Sequence, residues 1–407
     1  MAIQPTLAMI PSGYKDGKLY SVLPTDGVGD FDVTRGSDAT RINKDGLIET
    51  VSNNVPRLDY TRGGCPSLLL EPQSTNLYLF SAPTVNEGPA GDITYESFSW
   101  SNGFTNCVKF GDNSAIRYRY GSTVSINTEY TISFFVIMDD LSIPIASLSS
   151  STGDFAISVG GTISGGVINT NVNLGNNIYR VSKTVTTSGT VNATNNGAIK
   201  YTGQSSKGFR VVGAQLEQSP YASSLIPTNG STVTRLAETA TGSGDASTFN
   251  DSEGVLFAEM AALANDLTFR YIVLSDGTNN NRIVLRYNNT SNQISTLIVV
   301  GGATPYILSF AVTDITQIHK IAFKWKVNNF ALFIDGIKVA TLLTAITFPS
   351  NTLNTFSLKS PVTSTENLEA KVKDLRVYNT ALTDLEIETL TSFTSFNEMA
   401  LNFNYTI

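Results

Sequence analysis

The sequence of 407 residues contains only two cysteines and one histidine. Two cysteines, Cys65 and Cys107, are too few for a disulfide framework in a chain of this size, and the sequence favours reduced, buried thiols over one disulfide. A single histidine, His319, leaves a zinc centre short of ligands and gives a serine–histidine–acid triad only one available base. No nucleophile elbow accompanies His319, so we expect an ordinary histidine at the edge of a strand.

Charge is also scarce, because Asp, Glu, Lys and Arg make up 15% of the residues against about 25% in average globular proteins. Asn, Thr, Ser and Gly replace them, which is typical of a polar β surface. The net charge of −7, with no basic stripe, argues against a nucleic-acid partner. No segment approaches the ~20 apolar residues that cross a bilayer, and no basic start precedes a long apolar run. We therefore expect no membrane insertion, no signal peptide and synthesis in a cytoplasm.

Short alternating strands separated by Gly, Asn, Asp and Ser turns predict an all-β protein of two or three domains. Residues 1–90 have too few apolar positions for a core of their own, so we expect an extended N-terminal arm that lies on a neighbouring domain or subunit. Residues 91–235 predict a β-sandwich of the jelly-roll type and a connector. Residues 236–392 predict a second sandwich with one short helix. The apolar segment 393–407 is expected to dock on a partner subunit.

Three local patterns give sharper expectations. Gly213 interrupts an apolar strand and indicates a β-bulge or a close approach of two backbones. The strand Lys320–Lys326 alternates apolar and lysine positions, which predicts one buried and one solvated face. Thr383 precedes acidic residues, as in a helix N-cap.

The first 235 residues contain a set of distinctive motifs: Asp30-Phe31, Arg35, Ala39–Arg41, Gly46–Glu49, Pro56–Tyr60, Pro66–Pro72, Thr75–Leu77, Gly213–Glu217, Ser223–Thr228 and Val233–Arg235. These motifs resemble those of bacteriophage and prophage fibre or tail proteins. In that family a jelly-roll domain follows the N-terminal motif. A C-terminal set is similar to laminin-G or concanavalin A-like sandwiches: Ile321–Trp325, Ala331–Gly336, Lys373–Tyr378 and Ala381–Asp384.

The resemblance implies a non-catalytic, homotrimeric fibre protein on the surface of a bacteriophage virion, at its head or its tail. The arm, including Arg57, Leu68, Leu69 and Leu70, would attach it to other virion proteins (capsid, portal or tail). The C-terminal domain would adhere to host surface polysaccharide. Two alternatives stay open: a structural decoration or spacer that binds no glycan, and a polysaccharide depolymerase.

Candidate glycan-binding residues in the C-terminal domain are Asp276, Asn279, Asn280, Tyr287 and Tyr306. The first three belong to the loop 275–281, whose oxygen atoms could contact a sugar or, at Asp276, a calcium ion. The same loop also fits an ordinary hairpin turn. The tyrosines could stack on sugar rings, although strand tyrosines are more often half-buried packing residues.

A depolymerase would need two carboxylates held about 5–10 Å apart across a cleft. Asp139 and Asp140 are adjacent, so on one strand their side chains would point to opposite faces. Glu366, Glu369 and Asp374 are loosely spaced and form no compact catalytic strand. The sequence therefore predicts no enzyme and no cofactor, apart from the weak calcium candidate.

Overall fold

The computed structural model describes residues 4–61, 64–83, 94–100, 104–111, 116–119, 122–363, 365–395 and 398–399. Strands dominate these ranges, and α1 (Asp384–Thr391) is a short helix near the end of the C-terminal domain. The predicted all-β class is confirmed. No helix in the described part of the chain is both long and apolar enough to span a bilayer.

The arm is built of short strands, of which β1, β4, β8 and β9 pair with distant parts of the chain and the others pair within the arm. Its strands are β1 (Leu7–Met9), β2 (Tyr14–Lys15), β3 (Lys18–Leu19), β4 (Phe31–Thr34), β5 (Ala39–Ile42), β6 (Ile48–Val51), β7 (Leu58–Asp59), β8 (Ser67–Leu70) and β9 (Ser74–Asn76). The hairpin β5–β6 lies against the first sandwich, since Ile48 belongs to the same buried cluster as Phe135 and Val212. The arm is thus an integrated part of the fold.

The first sandwich consists of a six-stranded sheet and a four-stranded sheet, ordered β10-β11-β19-β13-β17-β16 and β12-β18-β15-β14. Its strands are β10 (Thr94–Ser97), β11 (Asn106–Phe110), β12 (Ile116–Arg119), β13 (Glu129–Met138), β14 (Ala146–Ser147), β15 (Phe155–Ser158), β16 (Val167–Asn173), β17 (Tyr179–Thr186), β18 (Gly197–Lys200) and β19 (Phe209–Glu217).

The predicted irregularity at Gly213 is confirmed, because the pairing of β13 with β19 shifts register there: Phe135 faces Gly213 and Val136 faces Val211. A Cβ on Gly213 would lie 2.9 Å from the ring of Phe104. Glycine is therefore required here for close packing on an aromatic ring.

The C-terminal sandwich follows the connector. Its eight-stranded sheet has the order β29-β28-β27-β22-β31-β8-β7, with β1 also on β31, and its five-stranded sheet has the order β26-β25-β24-β23-β30. The strands after the first sandwich are β20 (Val233–Arg235), β21 (Thr239–Thr241), β22 (Glu253–Ala262), β23 (Arg270–Ser275), β24 (Arg282–Tyr287), β25 (Gln293–Val299), β26 (Tyr306–Ala311), β27 (His319–Lys326), β28 (Phe330–Ile334), β29 (Ile337–Leu342), β30 (Thr355–Ser357) and β31 (Ala370–Tyr378).

Three strands of the arm, β1, β7 and β8, complete the eight-stranded sheet. On one edge β31 pairs with β22, and on the other it pairs with β8 through Ala370–Val372 and with β1 through Leu375–Val377. Leu68 and Leu70 of β8 are buried in the same core as Trp325. Without the arm, β31 would be an unpaired edge with exposed apolar side chains.

The predicted solvated face of β27 is wrong for two of its lysines. Lys320 and Lys324 are only 6% and 4% exposed, because α1 and the segment after it cover this face. Lys324 forms an ion pair with Asp384, and Lys320 Nζ lies 2.6 Å from Glu398 Oε1. Periodicity within β27 could not reveal a helix that covers the second face.

Five charged side chains form a buried ion network, which we call the hub: Arg35, Arg57, Glu71, Arg235 and Glu238. Glu238 Oε1 accepts hydrogen bonds from Arg35 Nη1 at 2.6 Å and from Arg57 Nε at 2.7 Å. Glu71 Oε2 lies 2.7 Å from Arg57 Nη1 and 2.9 Å from Arg235 Nη1. All five residues are at most 3% exposed. The hub therefore fastens the arm to the connector between the two sandwiches.

The hub is rich in hydrogen bonds, as buried charges require, although Arg235 Nε has no hydrogen-bond partner among the described residues. The Ser224 backbone N–H donates to Glu71 Oε1 at 2.8 Å, and Arg57 Nη1 donates to the carbonyl of Thr40 at 2.9 Å. Burial alone would raise the pKa of Glu71, but the guanidinium groups of Arg235 and Arg57 hold that pKa well below its usual range.

The two cysteines are separate and free. Cys107 is buried, and burial raises the pKa of its thiol to about 11. Cys65 is exposed, so the expectation of two buried thiols holds only for Cys107.

Candidate functional site

A groove of about 330 Å³ lies on the outer face of the five-stranded sheet; we call it the rim groove. Val273 lines it, and the strand edges contribute the hydroxyl groups of Thr241, Ser275, Thr355 and Ser357. These residues come together because β23 pairs with β30, with Ser275 opposite Thr355 and Val273 opposite Ser357.

Lys359 extends the rim groove beyond the end of β30. Within the described ranges its ammonium group forms no ion pair, in contrast to Lys326 of the same domain, whose Nζ lies 2.7 Å from Glu253 Oε2. A row of hydroxyl groups with an unpaired cation offers donors and acceptors that suit a polyhydroxylated ligand.

The predicted loop 275–281 borders the rim groove, since Gly277 lines it. The loop is largely satisfied by its own hydrogen bonds. Asp276 Oδ1 accepts from the Thr278 backbone N–H at 2.8 Å, and Asp276 Oδ2 accepts from Asn281 Nδ2 at 2.8 Å. Asn279 accepts from Arg282, and the exposed Asn280 uses its carbonyl to accept from the Gly302 N–H at 2.9 Å.

These bonds give the loop the geometry of an ordinary Asx-type turn. Among the residues that the structure describes, no three His, Cys, Asp or Glu side chains cluster as metal ligands would. Burial alone would raise the pKa of Asp276, but its bonds to Thr278 and Asn281 lower that pKa.

The two candidate tyrosines lie away from the rim groove. Tyr287 is 1% exposed and belongs to the core between the two sheets. Tyr306 is half-buried and packs edge-on against Phe330, with ring centroids 5.8 Å apart. Both therefore act as packing residues, and neither presents a ring face to the groove.

The four arm residues assigned to attachment are internal. Arg57 is 0% exposed at the centre of the hub, and Leu68, Leu69 and Leu70 are at most 3% exposed in β8. Arg57 forms an ion pair with Glu238 of the connector, and β8 pairs with β31 of the C-terminal sandwich in the same chain. They do not form an exposed contact surface here.

The adjacent carboxylates Asp139 and Asp140 follow the end of β13 in a turn. Asp139 forms an ion pair with Arg210, and Asp140 Oδ2 lies 2.9 Å from Lys207 Nζ. Each carboxylate therefore has its own cation.

The C-terminal carboxylates are also held by neighbours. Arg270 Nη2 lies 2.7 Å from both Glu369 and Asp266, and burial raises the pKa of Glu369 to about 7. Glu366 accepts from the Thr363 hydroxyl at 2.7 Å. Asp374 Oδ2 lies 2.5 Å from Arg376 Nη2. None of the four carboxylates lines the rim groove.

His319 is the first residue of β27 and is 2% exposed. Its Nδ1 lies 2.6 Å from Asp335 Oδ2, and its Nε2 lies 3.0 Å from the carbonyl oxygen of Asp314. Burial alone would lower the pKa of His319, but Asp335 raises that pKa above its usual value. These contacts give His319 a structural role.

Sequence reasoning missed Thr241, Thr355, Ser357 and Lys359. They come from β21 and from the segment around β30, two short elements with a weak apolar alternation. Only the pairing of β30 with β23 brings them beside the loop that the sequence did indicate. The sequence signal that could have located them is the placement of Thr355 and Ser357 on either side of Phe356, which puts both hydroxyl groups on one face of β30.

Residues 258–388 match the family model described as the concanavalin A-like lectin/glucanases superfamily. Comparison with curated proteins finds no match to the chain.

Several solved structures are similar to the chain. The CBM40 of the Ruminococcus gnavus IT-sialidase, bound to alpha2,3 sialyllactose, is 18% identical over 35% of this chain and 84% of that chain, with a TM-score of 0.31. Domain 4 of the extracellular arabinanase AbnA from Geobacillus stearothermophilus, in complex with arabinotriose, is 13% identical over 40% of this chain and 77% of that chain, with a TM-score of 0.32. The heptameric SAP-like pentraxin of Limulus polyphemus is 13% identical over 35% of this chain and 71% of that chain, with a TM-score of 0.28.

The family match covers the nine strands β23–β31 completely, together with the second half of β22 and most of α1. Both sheets of the C-terminal sandwich take part in it. The C-terminal domain of this protein is a concanavalin A-like sandwich.

Proposed function

We propose that the protein binds surface glycans without cleaving them, through the rim groove of its concanavalin A-like domain. The observation that carries this proposal is the groove itself, in which hydroxyl groups from three strands meet the unpaired ammonium group of Lys359 beside the loop 275–281. Sugars are recognised by such short-range polar contacts, and many weak sites become effective when they are presented together. Asp276, Asn279 and Asn280 contribute the loop that bounds the groove.

The test is a glycan array probed with the full chain and with the double variant Thr355→Ala/Lys359→Ala. We expect reproducible binding to a subset of glycans and at least a tenfold loss in the double variant, about the effect of removing one charged and one neutral hydrogen bond. Lys326→Ala, which removes an exposed lysine elsewhere in the domain, is the matched control and should bind normally. Equal binding by all three proteins would refute the assignment to the rim groove.

We also propose that the protein is a fibre protein on a bacteriophage virion, made in the cytoplasm of the bacterial host. This part rests on the motif resemblance of the first 235 residues. Antibody against residues 250–392 should label peripheral fibres on intact virions in electron micrographs. Absence of label from every particle would remove the virion assignment and leave the glycan proposal to its own test.

A homotrimer is part of the same proposal. The segment after β13 exposes three large aliphatic side chains, Leu141, Ile143 and Ile145, each more than half accessible, and such patches are typical of contact surfaces. Sedimentation of the full chain should give a trimer at micromolar concentration, and a stable monomer would contradict it.

A depolymerase is the alternative from another functional class. Release of reducing sugar from host polysaccharide at high protein concentration would establish it. The ion pairs of Asp139, Asp140 and Glu369 with nearby cations lead us to expect no release.

A further inference from the structure

A second, larger cavity of about 900 Å³ lies where the arm, the first sandwich, the connector and the C-terminal sandwich meet; we call it the junction cavity. It shares no residue with the rim groove. Its volume is in the range of small-molecule sites, about 300–1,000 Å³. Four separate parts of the chain build it, so only the assembled protein has this site.

Arg180 of β17 is the most distinctive group on the wall of the junction cavity. Its guanidinium lies over the ring of Phe135, 5.1 Å from the centroid, and its Nη2 donates to Ser133 Oγ at 2.9 Å. Within the described ranges no carboxylate lies at ion-pair distance from it. Burial lowers the pKa of Arg180, although the more distant charges of Glu217 and Glu71 act to raise that pKa.

Two further donors on the same wall lack a partner among the residues that the structure describes. Arg41 donates through Nε to Glu49 at 2.6 Å and through Nη2 to Tyr14 at 2.8 Å, whereas its buried Nη1 has no hydrogen-bond partner in the described part of the chain. The buried hydroxyl of Tyr221 also has none. Buried polar groups in native proteins are nearly always satisfied by protein, water or a ligand, so each of these two donors is available to a ligand oxygen.

The acidic groups on the wall are already neutralised. Asp59 Oδ1 lies 3.0 Å from Lys371 Nζ, and Glu398 Oε1 lies 2.6 Å from Lys320 Nζ. Glu71 belongs to the hub, where two arginines surround it. The uncompensated charge of the cavity is therefore positive and is concentrated at Arg180.

We propose that the junction cavity binds a small polyhydroxylated carboxylate of the hexuronic acid class, whose carboxylate pairs with the guanidinium of Arg180. The planar guanidinium fork matches the geometry of a carboxylate, and its stacking on Phe135 fixes its orientation. The sugar hydroxyl groups would face Arg41 and Tyr221. Polar side chains complete the wall for such a ligand: Thr61, Ser182, Asn265 and Thr316.

The experiment is isothermal titration calorimetry of the full chain with galacturonate, and with methyl galactoside as the uncharged comparison. We expect galacturonate to bind saturably at one site per chain, and methyl galactoside to bind at least about tenfold more weakly. Arg180→Gln should weaken galacturonate binding by a similar factor. Arg210→Gln is the matched control, because Arg210 lies in the same six-stranded sheet and pairs with Glu96 outside the cavity.

Circular dichroism and thermal unfolding must show that both variants fold. If Arg180→Gln does not fold, Ser133→Ala replaces it, because this variant removes only the hydroxyl that orients Arg180, and binding should weaken severalfold. Three results would each overturn the proposal: no saturable binding of galacturonate at about 10 mM, equal binding of methyl galactoside, or unchanged affinity in the folded Arg180 or Ser133 variant. Because the rim groove shares no residue with this cavity, the Thr355→Ala/Lys359→Ala variant should bind galacturonate normally.

Discussion

Replacing Glu238 by Gln should destabilise the whole chain, because Glu238 is the carboxylate that joins Arg35 to Arg57 in the hub. The amide keeps the size of the side chain but removes its charge, so two guanidinium groups at most 1% exposed lose a counter-charge. Breaking a buried pair on one side costs about 3–5 kcal/mol. At roughly 2–4 °C per kcal/mol for domains of this size, the midpoint of thermal unfolding should fall by about 6–20 °C.

The matched control is Glu253→Gln, which breaks the ion pair with Lys326, where the two side chains are 24% and 54% exposed. Exposed pairs contribute about 0–1 kcal/mol, so this variant should unfold within a few degrees of the wild type. Differential scanning calorimetry resolves the two results. A Glu238→Gln variant that unfolds at the temperature of Glu253→Gln would refute the view that the hub holds the arm in place.

Acid provides a second test of the hub through Glu71. Because its pKa in the folded chain is lowered, its contribution to stability is complete above its unfolded pKa of about 4.5 and is lost as pH falls through the folded value. The free energy of unfolding should therefore fall steadily as pH falls below about 4.5. An acid limb equally steep in Glu71→Gln would contradict this origin.

Three further predictions concern single positions. His319→Gln should remove a stability contribution that is present below about pH 6.5 and declines as pH rises through the raised folded pKa of His319. Urea unfolding of both proteins from pH 5.5 to 9 measures this contribution, and identical pH profiles would contradict it. Gly254→Ala should destabilise the folded chain by at least about 1–3 kcal/mol, because the added Cβ would lie 2.3 Å from the Trp325 ring. Gly111→Ala, whose Cβ would have nothing within 4 Å, is the control and should unfold like the wild type. Equal unfolding midpoints for the two variants would refute the steric argument. Thr383→Ala should cost about 1 kcal/mol, since Thr383 and Glu386 form a capping box at α1, and an unchanged denaturation midpoint would show that packing alone holds the helix.

Local patterns were sufficient to predict most strands of the C-terminal sandwich. Alternation along Arg282–Tyr287 and Lys320–Lys326 reflects side chains that point to opposite faces of one strand, which is a property of consecutive residues. The capped helix at Thr383 is local in the same sense. Such features depend on a few neighbouring residues and are therefore visible in the sequence.

Contacts between distant segments could not be predicted in this way. The pairing of β1 with β31 joins Leu7 to Val377, and nothing in either short strand specifies its partner. The prediction that Lys324 lies on a solvated face was wrong, because α1 packs over that face of β27. Burial of both faces depends on tertiary packing, which a periodicity in one strand does not record.

The candidate site shows the same division. The loop around Asp276 could be located by its turn residues, whereas Lys359 joins it only through the pairing of β23 with β30. Tyr287 was placed in a glycan site on residue type alone, and its position on the inner face of β24 makes it a core residue. Strand alternation places Ile283 and Leu285 on the same face as Tyr287, and this pattern could have excluded it.

The hub also explains why the motifs of the first 235 residues occur together. Arg35, Arg57 and Glu71 belong to the N-terminal motifs, and Arg235 ends the motif in the connector; Glu238 follows it three residues later. Arg35 and Arg57 pair with Glu238 and Glu71 pairs with Arg235, so each segment supplies counter-charges to the other. An isolated buried charge would be very costly. The two sets of motifs are therefore halves of one folded unit that anchors the arm within its own chain, and a contact surface for other proteins has to lie on the exposed side chains around that unit.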